Sequence, residues 1–264
     1  MLLINKWVKI NRKITRCIQI KAVFLQTFTP KKSHFMKIEI WSDVMCPFCY
    51  IGKKHLEQAL EQIPYQDKIQ VEWKSFQLNP DLSKTETMSM EEYLVNSKGI
   101  SNEQVEAMNN QLTEMGKTVG INFDLQNSKI INTGDAHRLI HFAHSKGKAA
   151  EAEERLFKAY CTEGKNVADY EVLAELGEEI GLNKTEVTEM LNSDAYVFEV
   201  ASDVLDARNI GVASVPFFVL DRKYSISGAQ PVEYFISALT QAYEKDHLST
   251  PTSGASCDID GNCD

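Results

Sequence analysis

Two stretches of alternating side chains at opposite ends of the chain restrict the fold more than any other feature of the sequence. Near the front, M-K-I-E-I-W (Met36–Trp41) puts Ile38 and Ile40 on one face, and I-Q-V-E-W-K-S-F-Q-L (Ile69–Leu78) repeats the pattern. Between them Phe48, Ile51, Leu56, Ala59, Leu60 and Ile63 recur at helical spacing until Pro64 ends the run. A β-α-β unit with so short a crossover implies parallel strands. Near the back, V-P-F-F-V-L (Val215–Leu220), a D-R-K turn and Y-S-I-S-G (Tyr224–Gly228) lead into a helix from Pro231 to about Tyr243. Neither end can bury a sheet alone, so the two must close on each other as one domain.

What separates them reads as helix throughout. Met90–Leu94, Ser101–Val119, Thr133–Lys146, Ala149–Tyr160, Asp169–Ile180 and Lys184–Asn209 are all amphipathic, and no convincing strand interrupts them. S-N-E-Q at Ser101, N-T-G-D before Ala136 and N-K-T-E at Asn183 supply helix starts. The expected architecture is α/β, β-α-β … β-β-α with a large all-helical insertion. Residues 36–80 and 211–245 form the sheet domain and 81–210 the insertion.

The two termini read differently. Residues 1–35 carry eight basic and no acidic residues, leaving 20 basic against 37 acidic in the remainder. So acidic a body repels phosphate backbones, which argues against nucleic acid as a partner. The leader's longest apolar run, Ala22–Leu25, is too short for a secretory core, and no stretch approaches a membrane span. The leader is expected to lie outside the fold, with the working protein starting at Met36. Residues 246–264 lack apolar periodicity and are expected to be a flexible tail carrying Cys257 and Cys263. Six cysteines are too few for a disulfide scaffold, and with no export signal the expected compartment is the cytoplasm.

In that compartment closely spaced cysteines are more often catalytic or metal-binding than structural. Cys46 and Cys49, in C-P-F-C, fall where the first strand gives way to the first helix, with Pro47 at the favoured first helical position. Unpaired backbone N–H groups and the positive end of the helix dipole favour a thiolate at Cys46. Cys49, one turn on and more buried, can close a disulfide with it or resolve a mixed one. Cys46 is therefore the candidate nucleophile and Cys49 the candidate resolver. Pro216 heads a buried strand, where it removes a ladder donor, and is a candidate for a cis bond. Such a bond would turn the Val215 backbone toward the site and offer it to an extended substrate segment.

W-S-D-V-M-C-P-F-C-Y-I-G, N-T-G-D-A-H-R-L and G-V-A-S-V-P-F-F-V, in this order around a helical insert, resemble the DsbA family of thioredoxin-fold oxidoreductases, and within it the FrnE-like branch. The resemblance covers Met36 to Tyr243. It implies a thioredoxin-like fold, attack by Cys46, resolution by Cys49, and a cis Pro216 facing the disulfide. It also implies protein or small-thiol disulfides as substrates, with no dissociable cofactor. The better-known periplasmic members of the family have histidine where Phe48 stands, so one source of thiolate stabilisation is missing. FrnE-type proteins carry similar cysteine-containing tails, which makes Cys257 and Cys263 a candidate second redox pair.

Two other readings compete with a disulfide oxidoreductase/isomerase. Kappa-class glutathione transferases and 2-hydroxychromene-2-carboxylate isomerases share the architecture but typically place serine where Cys46 stands. A zinc-binding or redox-sensing module could use Cys46 and Cys49 with Cys257 and Cys263 as four ligands, although Pro47 paired with Val215–Pro216 suits redox chemistry better. D-I-D-G-N in the tail misplaces the glycine of a calcium loop and lacks its glutamate. His137, His141 and His144 share one helix face but lack an H-E-x-x-H partner, so they read as cleft-lining or interdomain groups. Cys161 reads as a small buried hydrophobe. Sequence leaves the oligomeric state open.

Overall fold

The computed structural model describes residues 35–84 and 88–245. The expectations for the leader and for the Cys257/Cys263 tail lie outside the described residues. In chain order the elements are β1 (Met36–Ser42), α1 (Pro47–Glu61), β2 (Ile69–Ser75), β3 (Met88–Ser89), α2 (Met90–Lys98), α3 (Asn102–Thr118), β4 (Lys129–Ile130), α4 (Gly134–Ser145), α5 (Ala149–Cys161), α6 (Tyr170–Glu179), α7 (Lys184–Leu191), α8 (Val197–Asn209), β5 (Phe217–Leu220), β6 (Tyr224–Ser227) and α9 (Val232–Tyr243).

The two ends of the chain close into one four-stranded sheet of order β2-β1-β5-β6. β1 runs parallel to β2 and antiparallel to β5, and β5 is antiparallel to β6. Alternation in β1 sorts its side chains onto two faces. Ile40 sits between Trp73 and Phe218 in the register, on the face covered by α1 and α9. There Phe218 meets the Phe235 ring edge-on at 4.8 Å, and Tyr65 stacks on Tyr243 at 3.9 Å. Trp41 points the other way into a small cluster with Ala207 of α8, Val212 and Val219. Its indole N–H donates to the Asp203 carbonyl at 3.0 Å. The helical segment is not a separate body: Leu139 of α4 and Phe157 of α5 belong to the same apolar cluster as Ile38 and Ile51.

The structure departs from the sequence reading at four places. Lys184–Asn209 is two helices, α7 and α8, with Tyr196 between them in left-handed backbone at φ 64°. The buried Arg138 guanidinium accounts for the break. It donates to the carbonyls of Met190, Leu191, Ser193 and Ala195 and to Asp135 Oδ1, satisfying acceptors that a continuous helix would have paired internally. Second, β3 and β4 form a two-residue antiparallel pair inside the helical region, too short to leave a period of two in the sequence. Third, α2 continues to Lys98, where Gly99 closes it at φ 67°. Fourth, β2 stops at Ser75, short of Leu78, whose N–H donates to Asp43 Oδ2 at 2.8 Å instead of to a strand partner.

Candidate active site

The turn Asp43-Val44-Met45 carries the chain from β1 into α1. Its geometry is fixed by the Cys46 N–H, which donates to the Asp43 carbonyl at 2.9 Å. Cys46 occupies the N-cap with extended dihedrals (φ −96°, ψ 109°), and Pro47 follows in the first turn. No side chain caps this end; Pro47 has no N–H and the Cys49 N–H donates to the Cys46 carbonyl at 3.0 Å, so what this end offers a charge at the Cys46 sulfur is chiefly the positive end of the helix dipole. Across from it lies the loop before β5. The Val215–Pro216 peptide bond is cis, and Cys46 Sγ is 3.8 Å from the Val215 carbonyl oxygen. Residues 169 apart in sequence thus meet.

Gly52 makes this approach possible. A Cβ built there would lie 3.0 Å from Pro216 Cγ and 3.3 Å from Phe218 Cζ, both on rigid rings. Gly52→Ala would gain about 1 kcal/mol of helix propensity but meets an overpacking cost of about 1–3 kcal/mol. The expected net result is a chain destabilised by about 1 kcal/mol, read as a lower urea midpoint, with α1 displaced from Pro216. An unchanged or raised midpoint would show that the Pro216 ring yields.

Cys49 faces inward, one turn along α1, and is buried. Burial pushes its thiol well above the ordinary range and the adjacent Cys46 adds to this, while the Asp43 backbone and the Ser42 hydroxyl pull the other way. Behind the pair lies a polar layer that the sequence reading did not single out. Asp43 is fully buried, with one carboxylate oxygen on the Leu78 N–H and the other 3.5 Å from both the Met45 N–H and His137 Nε2. From α5, Glu153 is buried without a partner for Oε2 among the described residues. Burial, with a contribution from Asp43 and against the attraction of Lys53, pushes its carboxyl up to about 8. Its neighbour Glu154 behaves oppositely. Burial opposes ionisation there, but bonds from Lys53, Lys54 and Tyr50 hold it down at about 2. Lys53 is itself buried and bridges Glu57 and Glu154, tying α1 to α5. Cys161, expected to be buried, is fully so, and burial raises its thiol well above the ordinary range, with Cys46 and Asp43 adding to the effect.

The sequence did contain signals for part of this layer. Asp43 is the charge in an otherwise apolar approach to Cys46, and Glu153 shares its helical face with Leu156, Phe157 and Tyr160. Of the predicted groups, Cys46, Cys49, Val215 and Pro216 come together. The three histidines separate. His137 is buried against Asp43, between the insertion and the sheet domain, whereas His141 and His144 line a groove of about 290 Å³ beside Glu72, Lys74 and Asp203. His141 Nε2 lies 3.1 Å from both Ser75 Oγ and Asp203 Oδ2. Among the described residues no three His, Cys, Asp or Glu side chains gather as a metal site would need. No described helix is long and apolar enough to cross a membrane.

Next to Cys46 opens a cavity of about 330 Å³. Phe48 and Leu78 form its near rim, and α2 and α3 supply Met90, Tyr93, Met108 and Leu112. Phe48, Leu78 and Met108 are each more than two-fifths exposed, which concentrates large apolar side chains around the most accessible of the described cysteines.

A sheet of this order, with a dithiol at the start of the helix after β1 and a cis proline opposite, defines a thioredoxin-like protein. The chain belongs to the DSBA-like thioredoxin domain family, whose sequence pattern matches residues 37–240. It is similar to the probable DsbA oxidoreductase SCO1869 of Streptomyces coelicolor, with 35% identity and a TM-score of 0.79 over 87% of this chain and 98% of that one. The uncharacterized protein YwbO of Bacillus subtilis (strain 168) is 26% identical over 219 residues, 79% of this chain and 98% of YwbO. A 2-hydroxychromene-2-carboxylate isomerase shares the fold at 16% identity and a TM-score of 0.61, over 81% of this chain and all of the isomerase.

Proposed function

We propose that the protein is a thiol–disulfide oxidoreductase/isomerase of the FrnE-like kind, with Cys46 as the nucleophile and Cys49 as the resolving thiol. The observation that carries this reading is the position of the Cys46 sulfur, at a helix N-terminus and 3.8 Å from the Val215 carbonyl. In the reducing direction the Cys46 thiolate attacks one sulfur of a substrate disulfide. A Cys46–substrate disulfide forms, the substrate S–S bond breaks, and the electron pair leaves on the other substrate sulfur. Cys49 then attacks Cys46, releasing the second substrate thiolate and leaving the protein oxidised by two electrons. Run backwards, the same steps oxidise a substrate dithiol. Stopped after the first, they permit isomerisation.

Pro216 and the Val215 backbone align the incoming chain, and the cavity lined by Met90, Tyr93 and Met108 receives an apolar group beside the reacting sulfur. Protein disulfides flanked by bulky apolar residues fit this description. So do small disulfides carrying an apolar body. The test is trapping. With a disulfide-bonded protein substrate, the Cys49→Ser chain is expected to accumulate a mixed disulfide on Cys46, seen as a mass increase that a reductant removes.

The cavity also supports a second reading, a glutathione-dependent isomerase or transferase acting on a small apolar molecule. Its volume falls at the lower end of ordinary small-ligand sites. On that reading Cys49 is dispensable. A Cys49→Ser chain that turns over a small substrate at the parental rate with glutathione, and traps no mixed disulfide, would establish it over the first.

A further inference from the structure

The cavity beside Cys46 is walled mainly by methionine, leucine, isoleucine and aromatic side chains, and among the described residues one charged side chain joins them. It belongs to Lys98, the last residue of α2. Met90, the first, lines the same cavity, so this wall runs for about 12 Å at 1.5 Å per residue. Elsewhere in this acidic body several lysines are matched to carboxylates, as Lys54 is to Glu154, Lys74 to Asp203 and Lys84 to Asp135. Lys98 enters no ion pair among the described residues. Its ammonium lies 5.7 Å from the centroid of the Tyr93 ring, which is itself held by its hydroxyl donating to Asn79 Oδ1 at 3.0 Å. The acids of α2, Glu91 and Glu92, sit in its first turn, not at the spacing of three or four residues that would pair them with Lys98.

We propose that Lys98 determines which substrates the cavity accepts: disulfides whose short apolar body fills it and whose far end carries a carboxylate. This rests on the reading of Cys46 as the nucleophile and names the substrate class of the same site. The apolar walls supply affinity without direction, since burying hydrocarbon favours any body of the right size. The ammonium supplies the direction. A wholly apolar ligand strips water from it and returns nothing, whereas a carboxylate replaces that water with a charge-assisted hydrogen bond. An amide keeps the shape and loses the charge. With the carboxylate at Lys98, the body lies along α2 and its sulfur is left to Cys46, which borders the same cavity. The Cys46 thiolate attacks that sulfur, the substrate S–S bond breaks, and the electron pair leaves on the other sulfur. Cys49 then displaces the retained thiol, and its proton goes to the departing sulfur. Because Lys98 is exposed, water screens the attraction, so the carboxylate is worth about fivefold in affinity rather than thousands.

The test compares the symmetrical disulfide of mercaptohexanoate with its bis-amide, whose S–S bonds react alike because the carboxylates lie far along the chain. Oxidation of the reduced protein is followed by intact mass as the loss of two alkylation sites, in the parent, Lys98→Gln, Lys98→Glu and Lys98→Arg. The parent and Lys98→Arg are expected to react about fivefold faster with the acid than with the amide at low salt, and added salt should shrink that ratio. Lys98→Gln should bring the ratio to one or below, and Lys98→Glu should invert it. Binding is read separately, without exchange, by calorimetry of (methylthio)hexanoate and its amide on the Cys46→Ser chain. The same preference is expected there, and the same loss when Lys98→Gln is added. Failure of the nucleophile reading would show as two disulfides that leave the protein unoxidised while the acid still binds better than the amide, a result that upholds Lys98 as the carboxylate's partner. An acid bound no better than the amide by the parental cavity, or a preference that survives Lys98→Gln, would overturn the assignment.

Discussion

Cys46→Ser is expected to abolish turnover of a disulfide substrate, a loss of about three orders of magnitude or more. The physical reason is that exchange requires an anion of moderate basicity and high polarisability in line with an S–S bond, and a serine hydroxyl stays protonated under the same conditions. Nothing else described can take over. Cys49 is 1% exposed and Cys161 is fully buried, so neither sulfur can meet a folded client, while Cys46 borders the open cavity. The loss should therefore appear in kcat rather than KM, because the docking surfaces proposed at Val215 and around Phe48 are untouched. Insulin reduction or recovery of a scrambled disulfide protein measures it. Substantial activity retained by Cys46→Ser in the presence of glutathione would move the nucleophile from the protein to the glutathione sulfur, as the isomerase-type reading requires.

How much of this was legible before the structure depended on whether a signal was local. The strand-helix boundary at Cys46 could be read because Pro47, the dithiol spacing and the alternation of Met36–Trp41 all fall within a dozen residues. The closure of the two half-sheets followed from topology, while the pairing of the dithiol with Val215–Pro216 came from the resemblance to the DsbA family. The break between α7 and α8 was not legible. Val187, Met190 and Leu191 lead to Val200 and Ala207 with acceptable helical spacing, and the cause of the break is Arg138, more than 50 residues upstream. The different surroundings of the three histidines were hidden for a related reason. Periodicity put His137 on one face with His141 and His144, but it could not say that the turn before Cys46 would lie over the first of them. The buried acids belong to the same class. A carboxylate in an amphipathic helix defaults to the solvent face, and only the docking of α5 behind α1 turns Glu153 inward.

That inward turn has a measurable consequence for stability. In the unfolded chain Glu153 titrates near the ordinary value of 4.5, whereas in the fold its carboxyl is pushed up to about 8. Below pH 4.5 it is protonated in both states and has no effect. Between 4.5 and 8 the folded protein keeps a proton that the unfolded chain releases, so stability falls as pH rises, and the loss levels off once both states are ionised. At 1.36 kcal/mol per unit the total is on the order of 5 kcal/mol. Lys53 does not prevent this because its ammonium is already committed to Glu57 and Glu154. Glu154 cannot imitate it, since a carboxyl held at about 2 contributes stability above pH 4.5 that is lost only as pH falls toward 2. Glu153→Gln removes the titration. Against the parent, its urea-derived stability should rise steadily from pH 5 to 8, whatever constant offset the buried amide introduces. Curves that stay parallel over that range would mean that Glu153 reaches water or a cation in solution, and that the layer beneath Cys49 is not closed.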